Sequence, residues 1–501
     1  METNPTAMNE SAGQNFLASR QAFWIVSLLT IVLFLVTNLP WQLDDYDQAK
    51  QAWTSYEMIT EGHWLYQRTS DDQGLATKPP LTGWVSAAIF IVTRSWDVAW
   101  RLPLLFCALL LAFVLFRDTT RAYRNIAGLI ALAAFGLNLL SPRLSTLVRS
   151  EMALALVIFL IGLLIWKKIR TGEPWSRRDR LSMFALLTAG MLIKGPIVYA
   201  FLLPGLAFFQ WRSRKTNGPS AWCGWWPWLA SLAIFLLWVA GGLIWVPRFY
   251  DLVIVREFLA RFGEVGEHVH RAHSFLFYLP HLLHKFLPWS VLMIAMAIFD
   301  LRSRQWSIRA AFREMSPETF WLICWSVGGL IVMSFVPSKR VDRIFPVIPP
   351  LCLLLGAQTA AILEKSEGRM RASRWLTATL VVACLLATGY SVSRIVAGYR
   401  DHRDALSIFG RQVRELATAN HWRYEAVGST DEGLPLYLTR PHFLKRDRAV
   451  EEWNAGNIDA LAVPENEMPR FMSELKGVTP PTLRSVQRKN LRRSNYVLLT
   501  H

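Results

Sequence analysis

Long apolar segments alternate with short basic connectors over the first 400 residues, and this alternation limits what the chain can fold into more than any motif does. The apolar segments run over about 22–39, 98–116, 124–141, 150–166, 181–194, 196–211, 225–246, 279–299, 318–337, 343–363 and 374–396. In a hydrocarbon core an unpaired backbone amide costs on the order of several kcal/mol, so each segment has to be a helix that satisfies its own backbone. The sequence therefore predicts an all-α polytopic membrane protein with about 11–13 transmembrane helices. The first run, Phe23 to Leu39, is too long and aromatic for a cleaved signal and is expected to remain as an anchor. A net charge of +17 would point to nucleic acid in a soluble domain, but much of it lies in connectors, where orientation and lipid headgroups account for it. No nucleic-acid partner is expected.

The loops richest in Lys and Arg are 117–124, 167–180, 212–215, 302–313 and 365–374, all expected to be cytoplasmic. They share one side with residues 1–21 only if the 13-residue run 81–93 does not span. That gives eleven spans, a first outer loop at 40–97, and a C-terminal region on the outer side too. From 398 to 501 the composition turns polar. Ala405, Ile408, Phe409, Val413 and Leu416 recur at helical spacing, and the short alternating, strand-like runs YEAVG, PLYL, DALAV and NYVLL follow. This reads as a small soluble α/β domain, with a parallel sheet as one arrangement. Cys107, Cys223, Cys324, Cys352 and Cys384 lie in or beside apolar runs without metal-ligand spacing and read as packing residues.

Polar residues that carry chemistry gather on the expected outer side. They are Asp44, Asp45 and Lys78; Arg143, Arg149 and Glu151; the stretch from Arg248 to His273; and Lys339, Arg340 and Arg343, with Lys194 at the same face. Basic residues on that side oppose the orientation signal, and a phosphate is their simplest partner. Arg offers a planar fork to a phosphate and Lys a mobile point charge. A carboxylate among such cations stays ionised and can orient a nucleophile or take its proton. These parts suit displacement at a sugar carbon with phosphate as the leaving group.

In order along the chain stand Asp44-Asp45, YEMITEGHW, KPPLTGW, Arg149-Ser150-Glu151-Met152, Lys194-Gly195-Pro196, HSFLFYLPHLLHKFLPWS and PSKRVDRIFPVIPPLCLLLG. This series resembles the GT-C membrane glycosyltransferases over roughly residues 20–365, most of all the aminoarabinose transferases of lipid A and, further off, the protein O-mannosyltransferases. The resemblance implies a transmembrane glycosyltransferase domain over 22–397, with 40–97 as its catalytic loop and 398–501 as a periplasmic domain. It implies an inverting enzyme of the bacterial inner membrane that moves a sugar from a polyprenyl-phosphate donor, such as undecaprenyl phosphate, to lipid A, a polysaccharide or a protein. Asp44 matches the family's catalytic carboxylate, with Asp45 and Glu151 as supporting acids. Lys78, Lys194, Lys339 and Arg340 match donor-phosphate ligands, and Arg149, His270 and Arg343 are candidate substrate contacts.

Two departures bear on this. Asp47 stands where the aminoarabinose group commonly has a basic residue, which bears on the acceptor. Thr77 stands where a metal-associated Glu often precedes KPP, so no metal ligand is assigned, and a divalent metal is allowed but not indicated; His268, His270 and His273 remain free for other ligands. Plainer readings hold elsewhere. Asp71 and Asp72 read as turn residues, Asp47 and Glu57 as a wet helix face, and Trp41, Trp64 and Trp84 as interface anchors. The rival function is a transporter or flippase for a lipid-linked sugar. It would place ionisable residues along a route through the spans, whereas the charges here crowd at segment ends.

Overall fold

In a computed structural model of the chain, the described residues are 16–43, 46–69, 75–215, 220–261, 273–364, 369–428, 433–486 and 495–501. They form two compact units. The first comprises Met1–Thr37, Leu102–Thr146 and Ser150–Ser391; the second comprises Asn38–Arg101, Leu147–Arg149 and Val392–His501.

The first unit is helical. Among the described residues, six helices are long and apolar enough to cross a membrane: Trp96–Gly136, Glu151–Thr171, Trp226–Trp245, Pro317–Phe335, Val341–Glu364 and Arg371–Arg400. The bent pair Phe275–Lys285 and Trp289–Ser303, angled by 99° with Pro288 at the start of its second half, makes a seventh if counted as one span. The chain is a multi-pass membrane protein. The difference from eleven expected spans has local causes. The 41-residue helix Trp96–Gly136 contains two of them. At about 1.5 Å per residue it would be roughly twice the thickness of a hydrocarbon core, and it breaks at Tyr123 and Arg124, the latter at φ 69°. Arg20–Val36 is 17 residues long, and Arg177–Lys194 and Ile197–Lys215 bear several charges at their ends. The run Leu81–Thr93 forms a helix of 13 residues, about 20 Å and too short to cross a core of about 30 Å.

Small residues let the spans approach closely. A Cβ on Gly328 would lie 2.6 Å from the backbone nitrogen of Gly205, so Ile197–Lys215 and Pro317–Phe335 meet backbone to backbone there. Trp321 donates its indole N–H to the Gly162 carbonyl at 3.1 Å, fixing Glu151–Thr171 against the same helix. Glu151–Thr171 also packs on the segment Val341–Val347 and on Arg177–Lys194. Three elements with charged ends are thereby held together.

The second unit is built on a four-stranded sheet of β1 (Tyr424–Ala426), β2 (Ala460–Pro464), β3 (Leu483–Arg484) and β4 (Tyr496–Thr500), in the order β1-β2-β4-β3. β1 and β2 are parallel and the other pairs antiparallel, so the sheet is mixed rather than parallel. Every residue of β2 and β4 is buried, because both faces are covered. Leu461, Val463, Val497 and Leu499 face a cluster with Trp453 and Phe471. Ala460, Ala462, Tyr496 and Leu498 face a second cluster containing Phe409 and Val413 together with Leu43, Trp53, Tyr56 and Trp100. The first loop and the C-terminal region therefore share one apolar core.

The run PLYL, read as extended, lies in the helix Gly433–Leu438, all six residues of which are buried. A short apolar run cannot distinguish a strand from a buried helical turn. Packing against Ala405–Ala419 decides it, at a point where a Cβ on Gly410 would come within 2.6 Å of the Tyr437 Cβ and 2.9 Å of its backbone. Gly410→Val is accordingly expected to destabilise this unit by about 1–3 kcal/mol or more. A lowered apparent Tm of the purified protein checks it; an unchanged Tm is the contrary result.

Candidate functional site

In the first unit, Glu151 opens the helix Glu151–Thr171 and Lys194 closes Arg177–Lys194. Each charge sits at the helix end whose dipole favours it. Lys194 Nζ donates to Glu151 Oε1 at 2.7 Å, with side-chain exposures of only 12% and 9%. Gly195 ends the lysine's helix at φ 73°, a conformation natural to glycine. Before Glu151, Asn138 organises the turn. Its amide accepts from the N–H groups of Leu140 and Ser141 and donates to Ala134, Phe135 and Ser141. The Asn-x-x-Ser-Pro sequence carries a turn signal that could have marked it.

Lys339 is buried, at 5% exposure. Its ammonium donates to the carbonyl of His273 at 3.1 Å, and among the described residues no carboxylate pairs with it. Burial pushes its pKa below the usual lysine range. His273 donates its own N–H to Pro337 O at 3.1 Å, which ties both sides of this cation together. Arg340 pairs with Asp342 at 3.1 Å, and Arg343 donates to the Ser338 carbonyl at 2.8 Å. The segment is thus rich in cations and held by its own short-range contacts.

The second unit holds the first-loop residues. Asp44, Asp45 and His270 lie outside the described residues, as do His268, Asp71 and Asp72. Leu43, next to the acid pair, is fully buried and donates its N–H to the Tyr437 hydroxyl at 2.8 Å. Gln42 accepts from the Ser407 N–H at 3.4 Å. The chain leading to the acid pair is therefore pinned to the C-terminal region. Neither Tyr437 nor Gln42 stood out in the sequence. Lys78 is half-buried just before the helix Leu81–Thr93.

Asp47 faces Arg149 at 3.8 Å, with the arginine at 8% exposure, and Gln48 accepts from the Val148 N–H at 3.2 Å. Glu57 is not on a wet face: it is 1% exposed and its carboxylate contacts His63 Nδ1 at 2.9 Å. The reading of both as a wet helix face therefore fails for Glu57, while Asp47 keeps 40% side-chain exposure. Thr77 offers a neutral hydroxyl where a metal site would want a carboxylate, and the described residues contain no group of three His, Cys, Asp or Glu side chains able to hold a metal.

No known protein-family profile matches the sequence. Two curated relatives are undecaprenyl phosphate-alpha-4-amino-4-deoxy-L-arabinose arabinosyl transferases. The protein from Sodalis glossinidius is 26% identical over 356 residues, covering 68% of this chain and 59% of its own length. That from Shewanella sediminis is 26% identical over 383 residues, covering 75% of this chain and 65% of its own length. The chain thus spans about six tenths of the length of these relatives. The crystal structure of ArnT from Cupriavidus metallidurans bound to undecaprenyl phosphate superposes with a TM-score of 0.66 at 17% identity, covering 96% of this chain and 98% of that one.

The chain has the GT-C fold.

Because the superposition covers nearly the whole chain, the GT-C fold includes the helical unit and the sheet-bearing unit alike. Within it, Glu151, Lys194 and the Lys339–Arg343 segment belong to elements of the first unit that pack on one another, and Lys78, Asp47 and Arg149 belong to the second.

Proposed function

We propose that this chain is an inverting glycosyltransferase of the bacterial inner membrane that moves a sugar from an undecaprenyl-phosphate donor to an acceptor at the periplasmic face. The observation that carries this reading is Lys339, a buried ammonium that no described carboxylate neutralises. A buried cation is costly alone, and a phosphate oxyanion is the partner that relieves that cost. Both relatives bear names specifying a sugar on undecaprenyl phosphate, and the superposed ArnT structure holds that lipid phosphate.

In the reaction an acceptor hydroxyl attacks the anomeric carbon from the face opposite the phosphate. The new glycosidic C–O bond forms as the bond to the phosphate oxygen breaks, and its electron pair leaves with polyprenyl phosphate. Asp44, kept ionised by the neighbouring cations, takes the hydroxyl proton, with Asp45 and Glu151 as supporting acids. Phosphate leaves without a separate general acid. Lys339, Lys194, Lys78 and Arg340 stabilise the charge that grows on it, an effect strongest away from water. Lipid A is the acceptor that the resemblance to the aminoarabinose transferases implies; a polysaccharide or a protein would use the same chemistry.

The test is transfer of labelled sugar from purified undecaprenyl-phosphate donors to a membrane extract. Wild-type protein should form labelled product, and Lys78→Ala and Lys339→Ala should each lose most of it while remaining folded. Full transfer by Lys339→Ala sinks the assignment of that residue, and lipid movement across vesicles with no transfer favours the transporter. The pH dependence has a defined sign. The protonated ammonium is the form that holds phosphate, so donor affinity is complete below the Lys339 pKa and falls as pH rises through it. Since burial lowers that pKa, the loss begins at lower pH than an exposed lysine would give. Lys339→Arg should remove this alkaline limb; an identical limb in that variant assigns it to another group.

A further inference from the structure

The end of the helical unit remote from Lys339 carries an exposed apolar and basic surface that the transfer chemistry does not use. Ile197–Lys215 begins three residues after Lys194, and Pro317–Phe335 ends four residues before Lys339. Each is 19 residues long, about 28 Å, so the far ends of this packed pair lie across a hydrocarbon core from those two lysines. Arg212 ties these ends to the short helix Ile308–Glu314. Its guanidinium lies 4.4 Å from the centre of the Phe320 ring and donates to the Phe312 carbonyl. Phe320 is buried under Phe208 at 5.8 Å and Phe312 at 6.4 Å, and Trp211 stacks on Phe208 at 5.7 Å. Phe208, Trp211, Ile308 and Phe312 nonetheless remain exposed.

On the short helix Ile308 and Phe312 stand one turn apart and share a face, and Arg309 and Arg313 share the face about 100° round from it. Like charges at this spacing repel. The neighbouring carboxylates are engaged with other cations: Asp300 and Glu314 with Arg304, and Glu318 with Arg170. Arg309 and Arg313 are exposed and have no carboxylate partner among the described residues. An aromatic face beside two such cations, at a membrane boundary, fits a lipid whose acyl chains cover the rings and whose phosphate meets the arginines. A zwitterionic headgroup brings its own cation and leaves the repulsion in place, whereas an anionic one relieves it. We propose that Arg309 and Arg313, with the Ile308–Phe312 face and Trp211, form a docking site for an anionic glycerophospholipid in the leaflet opposite Lys194 and Lys339. The site requires only that the chain spans a membrane and is independent of the transferase reading.

Equilibrium binding of radiolabelled phosphatidylglycerol to the full-length protein in neutral detergent tests the site, with phosphatidylcholine as the zwitterionic competitor. Wild-type protein should bind phosphatidylglycerol, and phosphatidylcholine should compete poorly. The double variant Arg309→Gln/Arg313→Gln should weaken binding roughly tenfold or more, since each surface cation near an anionic lipid contributes several-fold. Arg177→Gln/Arg178→Gln removes the same charge from exposed arginines at the start of Arg177–Lys194, the end of that helix remote from Lys194, and should change binding by less than about twofold. Phe312→Ser, which keeps both arginines, should weaken binding several-fold through the lost apolar face. Lys339→Ala should bind the lipid as wild type does, which separates this site from the donor phosphate. Equal losses in the two arginine pairs would reduce the effect to diffuse surface charge and overturn the proposal. Binding insensitive to Arg309→Gln/Arg313→Gln also overturns it and leaves this face to a protein partner or a second copy of the chain. Absence of sugar transfer by a wild-type protein whose phosphatidylglycerol binding still depends on Arg309 and Arg313 removes the transferase reading and leaves the lipid site.

Discussion

Asp44→Asn is expected to leave the protein folded and to cut sugar transfer by roughly 10²–10⁴-fold, the usual contribution of a positioned proton acceptor. The substitution keeps the shape and removes only the ability to take the hydroxyl proton. Donor affinity should change little, because the phosphate contacts are assigned to Lys78, Lys194, Lys339 and Arg340. A full loss of kcat at unchanged donor binding therefore supports the role. The preceding residue gives an internal comparison. Leu43 is anchored by its N–H to the Tyr437 hydroxyl at 2.8 Å, so Tyr437→Phe removes that anchor without touching the carboxylate. It should lower kcat by a smaller factor. Transfer at the wild-type rate by Asp44→Asn would assign the proton to another carboxylate.

The second large effect concerns the Glu151–Lys194 pair, 2.7 Å apart and nearly buried. Removing one member strands the other charge, which for buried pairs costs about 3–5 kcal/mol, far more than the net worth of the intact pair. Glu151→Ala and Lys194→Ala should each lower the apparent Tm by several degrees or more. The neutral double variant Glu151→Gln/Lys194→Met should recover much of the loss in stability. Transfer should not recover with it, because Lys194 is also assigned to the donor phosphate. Recovery of both stability and transfer would make the pair structural alone. Additive losses in the double variant would show that the two side chains act independently.

Much of this was legible along the chain because the relevant signals are local. Apolar run length and basic connectors marked the spans, since a helix in lipid satisfies its backbone within itself. The periodicity of Ala405, Phe409 and Val413 marked a helix that does bury those residues. The motifs were likewise short and colinear. Where local signals were ambiguous the reading failed: PLYL is apolar enough for a strand or a helix, and Glu57 has the spacing of a surface residue but lies under His63.

The sequence by itself determined a multi-pass helical protein with an α/β C-terminal region, and the order of its acids and cations supplies the site residues proposed above. Only the tertiary structure decided their partners. It paired Glu151 with Lys194, 43 residues on, set Asp47 opposite Arg149, and joined Leu43 to Tyr437 across 394 residues. It also left Lys339 buried against a carbonyl, with no carboxylate partner among the described residues. The physical reason is that hydrophobic periodicity reports which face of an element is buried, whereas a hydrogen bond or ion pair depends on which other element arrives there. That choice is made by close packing, such as Gly205 against Gly328 and Gly410 against Tyr437, and no stretch of sequence contains both sides of it.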